Sequence, residues 1–332
     1  MPDISLLDNR IKFRSFIEGP STEDRNSTID TASIKEELQE RGLLDASRQW
    51  DIRSLSGGLN SRVFVASPKG GEPLLTIRLR ADHARSSAEV DGLSDGAGCP
   101  GVPRLRLLTH NMLVHDYVPG APHDFQDLND DQLRALGDSL ACIHETTQPG
   151  FTPWPDQTLR RGNRAGLLRF RTGSLKSYDS YADAAGGRVH PELPALMARL
   201  SARNVTDPSW SLRAFSRLHG DLSRGNILWQ DNVPAFIDWE YSRVGDPAED
   251  LAYLLTEQDV DVDAAASLQQ AYLEAGGAPD VMLRVPTYTL FTAVDSVLWW
   301  SDYARTHHAD AGVEIERRIA AANRWLPYIN AG

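Results

Sequence analysis

The chain has 332 residues, 41% hydrophobic and 24% charged; at about 150 residues per domain this suggests two domains or one two-lobed unit, and the composition excludes disorder, collagen-like repeats and coiled coil as descriptions of the whole. The formal net charge is −12, spread as 17 acids against 15 bases up to Gly120 and 29 against 19 beyond it; a nucleic-acid partner would call for a basic stripe, so none is expected, while the acidic second part suits a cationic ligand or simply serves solubility. Cys99 and Cys142 are too few for a disulfide framework and lack zinc spacing, the start MPDISLLDNRIKFRS has no apolar core of a secretory signal, and the most apolar long window, residues 285–303, contains Asp295 and Asp302, so a cytoplasmic protein with no membrane partner is expected.

Residues 1–30 are polar and read as a flexible or loosely packed extension. Ser33 and Glu36 have the spacing of a capping box opening a short helix that ends near Gly42. Runs of β-formers at 50–55, 62–66 and 74–79 predict sequential antiparallel strands, the last two joined by the turn-rich SPKGGEP. A helix is expected over 84–94, and GAGCPGVP then returns the chain to strands at 105–108 and 112–118. Pro119 and Gly120 mark the change to a mostly helical remainder, where Leu133, Leu136, Leu140 and Ile143 recur at helical spacing. Strands first and helices afterwards make an α+β fold of two lobes: a small antiparallel-sheet N-lobe with one helix over 31–118, and a larger, mainly helical C-lobe over 119–332.

The stretch HGDLSRGNILWQDNVPAFIDWE, residues 219–240, carries the chemistry. Asp221 and Asn226 lie five residues apart on a loop spacing that lets a carboxylate and an amide turn toward one point. The apolar runs on either side of QDNVP predict a β-hairpin whose second strand delivers Asp238 at its end. Phosphoryl transfer needs such a set: one carboxylate to orient and deprotonate the attacking hydroxyl, and an amide oxygen with a second carboxylate to hold Mg²⁺. Asp221 is the expected base, and Asn226 and Asp238 the expected metal ligands.

HGD-x4-N followed by IDWE and GDPAEDLA resembles the aminoglycoside phosphotransferase family, small-molecule kinases of the protein-kinase-like fold, over roughly residues 50 to 255. The resemblance implies a nucleotide-binding N-lobe, a catalytic and substrate-binding C-lobe, Mg²⁺, and ATP with GTP possible. LSGGLNSRVF would be the phosphate-covering loop, with Gly57 and Gly58 letting the backbone near Asn60 and Ser61 approach the phosphates. The strand lysine of protein kinases is missing; LLTIRLR offers Arg78, with Glu89 as its helix partner, or else Arg80. LVHDYVPG resembles the interlobe hinge, so that the Asp116 carbonyl would accept from the base and the Val118 N–H donate to it, with His115 at the gatekeeper position or simply a buried histidine. His219 is expected to scaffold the loop, Asp246 to cap a helix with proline following, and Asp250 to hold the catalytic loop by hydrogen bonds. No APE-like segment follows Asp238, which argues against a protein kinase; a choline-like kinase or an inactive nucleotide-binding relative are the other readings.

For the acceptor, Asp295, Trp299 and Asp302 fall at i, i+4 and i+7 of a predicted helix and share a face. Two carboxylates around an indole suit a protonated amine on a hydroxyl-bearing small molecule; alternatively the Asp residues face water or pair with arginines such as Arg305. DVDVD at 259–263 is expected to be a solvated loop with Asp263 capping the next helix, or an acidic rim for a cationic substrate.

Overall fold

The computed structural model of the chain describes residues 30–55, 62–79, 83–153, 157–184, 190–202, 207–307 and 310–330. Gly57, Gly58, Asn60, Ser61 and Arg80 lie outside the described residues, as do residues 1–29. The chain forms two compact units, Met1–Ser86 with Pro103–Val118, and Ser87–Val102 with Pro119–Gly332.

The first unit opens with α1 (Thr31–Glu40). Its N-cap is Asp30, whose carboxylate accepts the Ser33 N–H at 2.8 Å. Ser33, expected to be the cap, is therefore three residues inside the helix, because an acceptor with extended backbone stands earlier in the chain. The strands β1 (Trp50–Leu55), β2 (Val63–Pro68), β3 (Leu75–Leu79), β4 (Leu105–Leu108) and β5 (Met112–Asp116) form one antiparallel sheet in the order β1-β2-β3-β5-β4. Alternation sets the faces: Leu75, Ile77 and Leu79 are buried and join Ile34 and Leu38 of α1 in the core, while Thr76 and Arg78 project from the opposite side of β3.

In the second unit α2 (His83–Asp95), which starts in the first, contributes its residues from Ser87 onward. The sequence places all of this helix in the N-lobe, 31–118; tertiary contacts assign Ser87–Val102 to the other unit instead. Gly92 packs so closely on Trp239 and Ser242 that a Cβ would lie 2.6 Å from the Ser242 hydroxyl. Asp95 accepts from Arg217 at 2.8 Å, and Cys99 is disulfide-bonded to Cys142 with Cα atoms 5.6 Å apart. Two cysteines are too few for a framework yet make this one bond, and 43 residues of separation hide a proximity that only folding creates.

The rest of the second unit is helical around short strands: β6 (Ala121–Pro122), α3 (Asp130–Glu145), β7 (Thr147–Gln148), β8 (Gly150–Phe151), β9 (Arg160–Arg161), α4 (Arg164–Ala184), α5 (Leu193–Ser201), β10 (Phe215–Leu218), β11 (Ile227–Gln230), β12 (Val233–Phe236), β13 (Arg243–Gly245), α6 (Pro247–Glu257), α7 (Val262–Glu274), α8 (Val285–His307) and α9 (Gly312–Trp325). The strands pair as β13-β10-β7, β12-β11-β6 and β8-β9. Asn129 and Gln132 close a capping box on α3, whose Leu136, Leu140 and Ile143 are buried. Leu290, Phe291, Val294 and Val297 of α8 pack with Leu193 and Leu196 of α5 and Ile319 of α9. Asp261, not Asp263, caps α7 by accepting the Ala264 N–H at 2.8 Å, since the cap must precede the first turn. Among the described residues no helix is long and apolar enough to cross a membrane.

Candidate active site

β10 carries the chain into Gly220, which has φ +86° and no room for a Cβ; one would lie 2.3 Å from the Tyr241 carbonyl oxygen. Only glycine fits this turn. His219 before it is fully buried. Its Nε2 lies 3.0 Å from the Ile237 carbonyl and its Nδ1 3.2 Å from the Asp221 N–H. A carbonyl can only accept and an amide N–H only donate, so the ring is held as the Nε2–H tautomer. Burial lowers its pKa against the pull of Asp250, which keeps it neutral. His219 is thus occupied on both nitrogens as a strut between loop and hairpin, the scaffold role its sequence position suggests.

Asp250 in the first turns of α6 fastens the same loop. Its carboxylate accepts the His219 N–H at 2.7 Å and the Gly220 N–H at 2.9 Å, and contacts His144 Nε2 at 3.3 Å. Burial pushes its pKa up, but hydrogen bonding to His144 and the nearby His144, His219 and Arg243 outweigh this and hold it below the ordinary value. α6 itself begins at Asp246, with Pro247 at its first position and Glu249 completing a capping box. Arg284 grips Asp246 through Nε at 2.6 Å and Nη2 at 2.9 Å.

Asp221 and Asn226 meet as their spacing suggests. The Asn226 side-chain N–H₂ donates to the Asp221 carbonyl at 3.0 Å and to Asp221 Oδ2 at 2.9 Å. The single turn Arg224–Asn226 and the Ile237 N–H bonded to the Asn226 carbonyl at 3.0 Å lock this geometry to the hairpin. β11 and β12 pair from Ile227↔Phe236 to Gln230↔Val233, and two residues past the end of the second strand stands Asp238, whose φ of +64° is rare for a residue with a side chain. The Asp221 pKa is raised to about 6, first by burial and then by the carboxylates of Asp238 and Glu257, against hydrogen bonds from Tyr253 and Asn226 that lower it. A carboxylate near neutrality is ionised at pH 7 yet basic enough to take up a proton.

These residues also fit a hard divalent cation. Asn226 commits its amide nitrogen to Asp221, leaving Oδ1 without a protein donor among the described residues, and Asp238 lies close enough to raise the Asp221 pKa electrostatically. Among the described residues no three His, Cys, Asp or Glu side chains form a ready-made metal cluster. One amide and one carboxylate suit Mg²⁺, which completes its octahedron with water and phosphate oxygens.

The other expected site residues fall as follows. Arg78 stands in β3 between Val63 and Leu113 in the first unit, and Glu89 is buried on α2 in the second. The Asp116 side chain is clamped by Arg106 at 2.6 and 3.0 Å, and its carbonyl accepts from His115 Nδ1 at 2.8 Å, which leaves that oxygen a second lone pair. Val118 ends the first unit. On α8, Trp299 is 45% exposed and stacks on Tyr303 with ring centroids 5.2 Å apart. Asp295 has its pKa raised, first by burial and also by Glu257, while Arg171 and Arg243 oppose the rise. Asp302 is ion-paired with Arg305 one turn on. That is the arginine alternative open from the sequence. One residue went unnoticed in the sequence: Tyr253, which lies near enough to the Asp221 carboxylate to oppose the rise of its pKa. Its helical spacing from Asp250 was the available signal.

Comparison with known proteins places the chain in a family and a fold. The family model described as the phosphotransferase enzyme family matches residues 51–285. The serine/threonine protein kinase RdoA of Salmonella typhimurium is 34% identical over 236 residues, 69% of this chain and 69% of that protein; some other curated relatives are matched over only 43% of their length. Among solved structures, macrolide 2'-phosphotransferase MphH from Brachybacterium faecium superimposes with a TM-score of 0.58 at 22% identity, covering 89% of this chain and 98% of its own. A ternary complex of a thermostable mutant of aminoglycoside phosphotransferase APH(4)-Ia with ADP and hygromycin B gives 0.57 at 16% identity, covering 90% of this chain and 99% of that one. At such identities the structural likeness concerns the fold, which is kinase-like, with an antiparallel sheet followed by a helical portion.

Proposed function

Because the chain belongs to the phosphotransferase enzyme family, we propose that it transfers the γ-phosphate of ATP or GTP to a hydroxyl of a small molecule, with Asp221 as base and Asn226 and Asp238 as ligands of Mg²⁺. The observation that carries this is the interlock of Asp221 and Asn226 at 2.9 and 3.0 Å, beside an Asp238 held in a left-handed conformation where the hairpin ends.

Bound Mg²⁺ supplies charge neutralisation on the phosphates. Asp221 accepts the proton of the acceptor hydroxyl while the new O–P bond forms and the bond from phosphorus to the nucleoside diphosphate oxygen breaks. The strut through His219, and the two N–H bonds to Asp250, hold Asp221 in place so that little reorganisation accompanies the transfer. By resemblance to the family, Arg78 and the backbone at Gly57, Gly58, Asn60 and Ser61 are the candidates for the phosphate oxygens. The Asp116 carbonyl and the Val118 N–H receive the purine edge. The excess of acids after Gly120, 29 against 19 bases, supports an amine-bearing acceptor, with Asp295 and Trp299 the remaining candidates on α8 once Asp302 is paired with Arg305.

Similarity to a relative named as a serine/threonine protein kinase favours a second reading, in which the hydroxyl belongs to a protein side chain. A panel of hydroxyl-bearing amines, neutral metabolites and Ser/Thr peptides, each offered with ATP and with GTP and followed by nucleoside diphosphate release, separates the two. Acceptor-dependent release with an amino alcohol and not with peptides supports the small-molecule reading; the reverse supports the protein kinase; no acceptor-dependent release with any class counts against both.

A further inference from the structure

The disulfide between Cys99 and Cys142 joins two elements that support the candidate site. Cys99 lies in the segment 96–102 that follows α2, Cys142 lies on α3, and both are half-buried. From Cys99 the route to Asp238 is short. Two residues on, the Gly101 carbonyl accepts the Phe236 N–H of β12 at 2.8 Å, and a Cβ on Gly101 would lie 2.4 Å from the Pro234 carbonyl oxygen. Asp238 stands two residues past Phe236. From Cys142 the route to the catalytic loop is as short. Two residues on, His144 Nε2 meets Asp250 Oδ2 at 3.3 Å, and the Ser216 hydroxyl of β10 donates to the His144 carbonyl at 2.6 Å. Asp250 accepts the N–H groups of His219 and Gly220. One covalent bond therefore ties the support of the hairpin to the support of the loop.

We propose that this disulfide is a redox switch on the candidate site: oxidised, it holds residues 96–102 against β12 and keeps the turn at Asp238 in place; reduced, it frees the segment and weakens Mg²⁺-dependent nucleotide binding. The segment reads GAGCPGV, with Gly98 and Gly101 at φ of +95° and +79°. A chain so rich in glycine gives up much backbone entropy when ordered and opens locally at small cost. Its turn bonds, from Cys99 N–H to Gly96 and from Val102 N–H to Cys99, lie within the segment itself, so the disulfide is what fastens it covalently to α3. A dithiol makes the change by thiol–disulfide exchange. One thiolate attacks a sulfur and breaks the S–S bond, and the second resolves the mixed disulfide. The two electrons and two protons of the dithiol end on Cys99 and Cys142 as thiols, and the reagent leaves as a disulfide. A low-molecular-weight disulfide reverses the step, since the fold keeps the two Cα atoms 5.6 Å apart, within bonding reach.

The experiment compares the full chain oxidised, reduced with dithiothreitol and reoxidised with oxidised glutathione, with free thiols counted in each state. Reduction speeds amide exchange at 99–102 and 234–238 about 10-fold or more while leaving the buried amides of α8 unchanged, and raises the Kd for ATP with Mg²⁺ about 5-fold; reoxidation restores both. By linkage, saturating ATP with Mg²⁺ makes the disulfide harder to reduce by the same factor, an effect that a bond serving only as a staple would not show. The double variant Cys99→Ser/Cys142→Ser behaves as the reduced protein with or without dithiol; the wild-type cycle needs no substitution and decides the matter should the variant fail to fold. Equal exchange and binding in the two states, faster exchange spread evenly over α8, a reducibility indifferent to nucleotide, or two free thiols that persist after oxidised glutathione each overturns the switch. Absence of ATP binding in either state counts against the proposed function instead, and the exchange measurement then decides the switch without it.

Discussion

Replacing Asp250 by Asn should cost both stability and turnover while leaving side-chain volume unchanged. In the wild type one oxygen accepts the His219 N–H at 2.7 Å and the other the Gly220 N–H at 2.9 Å. In the variant one of these becomes an NH₂ facing an N–H. One buried donor is orphaned, at about 1–3 kcal/mol, and the surviving bond loses its charge, at about 1 kcal/mol more. The sum is about 2–4 kcal/mol, with the loss of a counter-charge near Arg243 adding to it. The damage is local to residues 219–222, so their amides should exchange with deuterium faster than those of α8, and kcat should fall by about 10-fold or more as Asp221 loses its fixed backbone. The assay is chemical denaturation and hydrogen exchange read together with initial rates. A variant within about 0.5 kcal/mol of wild type, with unchanged exchange at 219–222, would refute the inference that Asp250 carries the loop.

Asn226→Ala and Asp238→Ala should each weaken Mg²⁺-dependent nucleotide binding, Asp238 more because it brings charge, and the double variant should lose less than the sum of the two; calorimetric titration with and without Mg²⁺ checks this. Gly220→Ala should abolish detectable turnover, since its Cβ would lie 2.3 Å from a backbone oxygen at a φ of +86°; activity above about a tenth of wild type would contradict it. Reducing the disulfide between Cys99 and Cys142, which closes a separation of 43 residues, should lower stability by up to about 4 kcal/mol on loop-closure entropy, measured as a shift in the denaturation midpoint with and without a dithiol; an unchanged midpoint would show that the bond adds nothing to the fold.

Much of the fold follows from local patterns. The antiparallel strands of the first unit, the hairpin that leads to Asp238 and the cap at Asp246-Pro247 are written in alternation, turn residues and capping chemistry, all of which act over a few residues. The same holds for the Asp221–Asn226 pair, whose partners sit five residues apart. Tertiary placement was not legible. That Cys99 meets Cys142, or that Ser87–Val102 belongs with the second unit, depends on how distant surfaces pack. Caps at Asp30 and Asp261 were assigned to Ser33 and Asp263 because several polar residues compete at each helix start and only backbone geometry chooses among them. Tyr253 was hidden inside the apolar run DLAYLL, where an aromatic residue reads as core. Asp302 illustrates the converse: its arginine stands only three residues on, a spacing at which helical ion pairs form.

The role of Asp221 as base is open to a single-turnover measurement with γ-³²P-labelled nucleoside triphosphate, Mg²⁺ and an accepted hydroxyl compound, comparing wild type with Asp221→Asn at saturating nucleotide. The wild type should move label from nucleotide to acceptor. Asp221→Asn should bind the nucleotide with similar affinity yet transfer label about 10²- to 10⁴-fold more slowly, the range for a positioned base. Label transferred at wild-type rate by Asp221→Asn would contradict the assignment of Asp221 as the base.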